Sequence, residues 1–161
     1  MQRMALAGLT ILALLGVGCP SRPTVSSEPV LSEAERATLQ DGARNTMASG
    51  AAERLADFQG GAHHAEGMAR IVRKNEKLYV VLDDTFAVDA GPQLSVFASG
   101  SSNPANETDL RARGAWELGR LQSTSGIQSY ALPSDINIDS VKSIVILSKL
   151  SDAIFAVASI Q

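Results

Sequence analysis

Ser143-Ile144-Val145-Ile146-Leu147-Ser148, followed closely by Ile154-Phe155-Ala156-Val157-Ala158, decides the class of this chain. The first stretch belongs to a near-continuous apolar run over residues 141–147. It is too short for a helix and suits a strand buried on both faces. The second alternates, with Ile154, Ala156, Ala158 and Ile160 on one side and Phe155 and Val157 on the other, which is the period of a strand. Working back from this pair, similar segments recur about every 10 residues, separated by turn chemistry. They cover residues 67–72, 78–82, 86–88, 94–98, 116–121 and 127–132. Lys74-Asn75-Glu76-Lys77 reads as a charged hairpin loop, Gly91-Pro92 as a turn, and residues 99–108 as a long polar loop. The pattern predicts an all-β domain, an antiparallel β-sandwich or compact barrel of about eight strands. A domain of roughly 100 residues buries enough apolar surface to fold without disulfides.

The 161 residues carry 14 Lys and Arg against 17 Asp and Glu. This mild acidic excess has no blocks of like charge, so it offers no footprint for nucleic acid and no polybasic membrane patch.

The first 18 residues read as an address. Met1-Gln2-Arg3 is basic, residues 4–15 are almost wholly apolar, and Gly16-Val17-Gly18 is small. That order is a secretory signal peptide, shorter than the roughly 20 apolar residues a spanning helix needs. Cys19 follows, the single cysteine of the chain. Leu15-Gly16-Val17-Gly18-Cys19 resembles a bacterial lipobox, although Gly16 stands where such signals usually carry Leu. The resemblance implies lipid attachment at Cys19, and several acyl chains would hold the protein on a membrane surface. The alternative is an ordinary signal-peptidase site, leaving a free N-terminal thiol.

Residues 19–57 are expected to form a lipid-anchored linker with partial helix. Residues 20–29 are Pro- and Ser-rich and read as extended tether. Ser32 with Glu35 forms a capping box. Leu39, Ala43, Met47, Ala51 and Leu55 then recur every four residues as a thin apolar stripe, weakened by Gly42 and Gly50. The stripe reads as a spacer helix that contributes little to a β-domain over residues 58–161.

The β-region also resembles the DM-thirteen family, often labelled electron-transfer domains. The likeness spans about residues 58–160. It rests on His64-x-x-Gly67, Gly91-Pro92-x-Leu94-x-Val96, Leu118-Gly119-x-Leu121 and Gly126-x-Gln128-x-Tyr130-x-x-Pro133. Val145-Ile146-Leu147-Ser148 with Phe155, Ala156 and Ala158 completes the series. Gln93 replaces the usual acid. The resemblance implies an extracytoplasmic β-domain with a proposed redox role resting on a cysteine. Where the family typically reads Trp-Cys, this chain has Leu147-Ser148. A serine hydroxyl cannot cycle through thiolate, sulfenic acid and disulfide.

Other side chains fall short of a chemical site. His63 and His64 are adjacent and on a strand would face opposite sides, short of the four ligands of a zinc site. Asp83, Asp84 and Asp89 could offer oxygens to calcium but lack EF-hand spacing, and turn chemistry accounts for them. Ser123, Ser125 and Ser129 carry no nucleophile-elbow signature. Trp116 and Tyr130 read as core aromatics. The residues therefore nominate no catalytic, cofactor or metal site and no enzyme. Two functions stand. One is a membrane-anchored interaction or binding module of the bacterial envelope, held on the inner or outer membrane by its N-terminal lipid, with an envelope protein or glycan as partner. The other is the envelope electron-transfer role implied by the family, disfavoured by Ser148.

Overall fold

The computed structural model describes residues 31–160; the expected signal peptide, the expected lipid site at Cys19 and the expected tether over residues 20–29 lie outside them. Helix α1 (Glu33–Ser49) comes first, capped as expected. The Ser32 hydroxyl accepts the Glu35 amide at 3.3 Å, and a Glu35 carboxylate oxygen accepts the Ser32 amide at 2.8 Å. The Ser32 hydroxyl also donates to that carboxylate at 2.6 Å, and this bond, followed by that of the Ser32 amide, holds the exposed Glu35 carboxyl below its ordinary range. The helix stops at Gly50, which is extended and lies against the Thr46 carbonyl and Val72; a β-carbon there would come within 2.8 Å of that carbonyl.

Ten strands follow. They are β1 (Ala51–Gly60), β2 (Ala65–Glu66), β3 (Met68–Lys74), β4 (Lys77–Leu82), β5 (Ala87–Val88), β6 (Leu94–Ser99), β7 (Ala115–Arg120), β8 (Gln128–Ala131), β9 (Ser143–Ser148) and β10 (Ala153–Ser159). A short helix, α2 (Glu107–Arg111), lies in the long polar loop before β7. Eight strands form one antiparallel sheet in the order β7-β6-β9-β10-β1-β3-β4-β8, curled into a nearly closed barrel; β2 and β5 form a separate ribbon. Of the two architectures expected, the structure takes the barrel.

Strand β1 corrects the reading of the tether. Ala51 and Leu55, assigned by spacing to the helical stripe, are strand residues. The error has a physical source: residues four apart share a face on a helix and on a strand alike, so the spacing could not separate the two. Residues 51–57 are therefore sheet and not linker. They pair with β3 from Ala51↔Arg73 to Asp57↔Met68, while Phe58, Gln59 and Gly60 pair with β10. One strand thus joins the two halves of the barrel.

The core lies inside the barrel, with Phe58, Ile71, Val80, Leu82, Val96, Ile144, Ile146 and Phe155 among its residues. The outward faces bury two smaller patches, each roofed by a helix. Phe97, Val145, Leu147 and Val157 pack with Leu110 of α2, and Val72, Val81 and Ile127 pack with Ala43 of α1. The β3–β4 hairpin turns through Asn75 and Glu76, both with positive φ, the left-handed pair that a two-residue hairpin loop requires.

A chain beginning at Ala51 is expected to melt cooperatively by circular dichroism, with a midpoint less than about 10 °C below that of the full chain. A chain beginning at Phe58 is expected to lose the transition, because β3 then keeps β4 but loses β1, its link to the β10 half of the sheet. Equal midpoints for the two would show that β1 is not the joint of the sheet.

Candidate functional site

Several residues that carry the family resemblance converge on one rim of the barrel. β9 ends there at Ser148, fully buried and opposite Leu94 of β6. Even-numbered residues of β9 (Ile144, Ile146) enter the barrel core and odd-numbered ones face α2, so Ser148 falls in the inward register. Its hydroxyl donates to the Pro92 carbonyl at 2.7 Å and accepts the Ser151 amide at 3.4 Å. The Lys149 amide adds a bond to the Gln93 carbonyl at 3.1 Å. Ser148 thus ties the Gly91-Pro92 loop to the β9–β10 turn.

Beside it, Gly91 is a glycine because of Phe155. A β-carbon on Gly91 would lie 2.4 Å from Cζ of the Phe155 ring, far inside van der Waals contact. One face of that ring is covered by the His63 imidazole, parallel within 1° at a centroid distance of 3.7 Å. Asp89 holds this cover in place. One of its carboxylate oxygens accepts the His64 amide at 2.8 Å and lies 3.9 Å from His63 Nδ1. His64 turns away toward Glu66, at 3.9 Å.

The third part of the rim is a clamp built on Gln128, 1% exposed. Its Oε1 accepts from the Gln122 amide (3.1 Å), the Ser123 amide (3.1 Å) and the Tyr130 hydroxyl (2.8 Å). Its Nε2 donates to the Ser123 and Gly126 carbonyls at 2.7 and 3.3 Å. The Tyr130 hydroxyl also accepts the Gln122 amide at 3.0 Å, and Gln122 Nε2 reaches the Ser129 carbonyl at 3.3 Å. One buried amide side chain therefore fixes the loop that crosses from β7 to β8, where the barrel is not closed by strand pairing. Burial pushes the Tyr130 phenol well above its ordinary value, against a smaller opposing effect of the Gln122 amide.

The remaining candidates do not assemble. Asp83 is buried and spends one oxygen on the Met68 amide, the Thr85 amide and the Thr85 hydroxyl, at 3.2, 3.1 and 2.7 Å. This is turn chemistry; Asp84 is exposed, and Asp89 is engaged with the histidine loop. Among the described residues no three His, Cys, Asp or Glu side chains group closely enough to hold a metal ion. Ser123 accepts the Ser125 amide, and no hydrogen bond among the described residues joins Ser123, Ser125 or Ser129 to a histidine. Trp116 packs half-buried on the core. Two clefts of about 570 and 530 Å³ lie away from this rim, the first lined by Arg54, Leu55 and Asp139, the second by Arg73, Lys77, Leu78 and Ile136. Sequence reasoning grouped Gln128 and Phe155 into motifs but missed the clamp and the His63 stack; no spacing signal marks either, since both depend on side-chain contacts that periodicity does not encode.

Replacing Gln128 by Leu is expected to lower stability by about 3 kcal/mol or more in urea unfolding, because the loop amides and the Tyr130 hydroxyl lose partners while still shielded from water. A loss below about 1 kcal/mol would dissolve the clamp. Tyr130 yields a pH test. Its folded-state value is raised above the unfolded value of about 10, so its contribution is complete below pH 10 and is lost as pH rises further. Tyr130→Phe is expected to flatten the alkaline fall in stability; parallel curves for the two proteins would contradict this.

A family model described as Electron transfer DM13 matches residues 57–160, leaving out α1 and the first part of β1. No curated protein and no solved structure matches the chain.

Proposed function

The chain belongs to the electron-transfer DM-thirteen family, and we propose that it serves within that family as a binding module displayed in the bacterial envelope on a lipid carried by Cys19. The observation that carries this reading is the state of Ser148. The resemblance puts the family's redox cysteine at this position, and here a buried hydroxyl is committed to the Pro92 carbonyl at 2.7 Å. The position works as a scaffold bond. The sequence from Pro20 onward holds no cysteine at all, so the barrel has no thiol to oxidise. The anchor reading is supported by the basic, apolar and small-residue order that ends at the lone Cys19. The partner class is an envelope protein or glycan.

The family description favours a second reading, electron transfer, and that role is the one the family label supports. In this chain it requires a carrier other than a thiol at position 148.

Two measurements test the proposal. Cells fed a labelled fatty acid are expected to label the wild-type chain and to lose both label and membrane fractionation on Cys19→Ala; unchanged labelling would remove the anchor. Protein from the native host, studied by voltammetry and absorbance, is expected to give no reversible wave and no cofactor band. A wave centred on the protein would restore electron transfer as the leading function.

A further inference from the structure

Helix α1 covers its patch of the barrel with little of its own surface. Of its 17 residues, only Ala43 and Thr46 are buried; Met47 packs partly, and Leu39 is 38% exposed. Beneath it lie Val72 of β3, Val81 of β4 and Ile127, with Tyr79 at the margin. The side-chain hydrogen bond between helix and sheet, Lys74 Nζ to Asn45 Oδ1, is 3.4 Å long. Gly42 sits within the helix facing open space, where a β-carbon would meet nothing within 4 Å, so it weakens the helix without serving the contact. Arg70 shares the outward register of Val72 on β3, and its Nε is buried with no hydrogen-bond partner among the described residues, a costly state. The contact of the helix with the sheet therefore rests on few buried residues, and α1 is the first element after residues 1–30.

We propose that α1 is a releasable strap. It leaves the β3–β4–β8 face by local opening while the barrel stays folded, and it uncovers Val72, Tyr79, Val81 and Ile127. Segments with few buried apolar contacts open well below the cost of global unfolding. Release also lengthens the connection to the N-terminus. The 17 residues span about 25 Å as a helix and about 55 Å fully extended, so unravelling the released segment adds about 30 Å. Its use as an adjustable tether rests on the Cys19 anchor reading; the strap itself does not.

Hydrogen exchange on the full chain tests the strap independently of any lipid. Amides of α1 are expected to exchange at least about 100-fold faster than the slowest amides of β3 and β4, with rates nearly independent of low urea. Ala43→Asp should abolish protection in α1 and leave the barrel rates unchanged, and Gly42→Ala should slow exchange in α1 alone. Exchange of α1 at the rate of β3 and β4, or loss of barrel protection in Ala43→Asp, would show the helix to be an integral part of the fold and overturn the proposal.

Discussion

The barrel depends on the change of partner within β1. Its first part pairs with β3 and its last three residues pair with β10. A sheet strand offers two hydrogen-bonding edges, and β1 uses them at different heights, so the half containing β3, β4 and β8 and the half containing β10, β9, β6 and β7 bend around one interior. Phe58 lies where the partners change, 5% exposed, with its ring 5.2 Å from that of Phe86. Burial of such aromatics contributes a large share of core stabilisation, and here it acts at the joint. The opposite side has no such strand, and the β7–β8 gap is held by side chains, with Gln128 and Tyr130 in the place of ladder bonds.

That division explains why the residues that carry the resemblance lie where they do. Gly91 leaves room for the Phe155 ring, Pro92 offers its carbonyl to Ser148, and Gln128 fixes the loop entering β8. Each solves a problem of closure at one rim. The role of these positions is to hold three loops together in the absence of a continuous ladder. A function carried by that rim would use its fixed shape, with His63 and the loop of residues 89–93 at the surface.

Much of this was legible in the sequence. The apolar run before Ser148 and the alternation after it are strands paired to each other, and the Ser32–Glu35 capping box is present. What escaped was of two kinds. Ala51 and Leu55 sit on a spacing common to helix and strand, so the start of the sheet was placed too late. The two-residue strand β2 is too short to show a period, whereas β5 falls within the segment 86–88 that the sequence marked. The clamp, the stack of His63 on Phe155 and the outward patches under α1 and α2 arise from tertiary side-chain contacts, and local periodicity carries no information on such pairs. For Asp83 the reading as turn chemistry agrees with its bonds to Met68 and Thr85.

The central claim is that position 148 is a closed structural site, with its side chain committed to the scaffold and away from solvent. Its most direct test is the reactivity of a thiol placed there, in Cys19→Ala/Ser148→Cys, toward a water-soluble disulfide reagent under native conditions. The account predicts a folded protein whose thiol reacts at least about 1,000-fold more slowly than in urea, since access requires opening of the rim. A thiol that reacts in the folded protein at nearly its unfolded rate would contradict it, and would mean that this position is open to the chemistry the family's description implies.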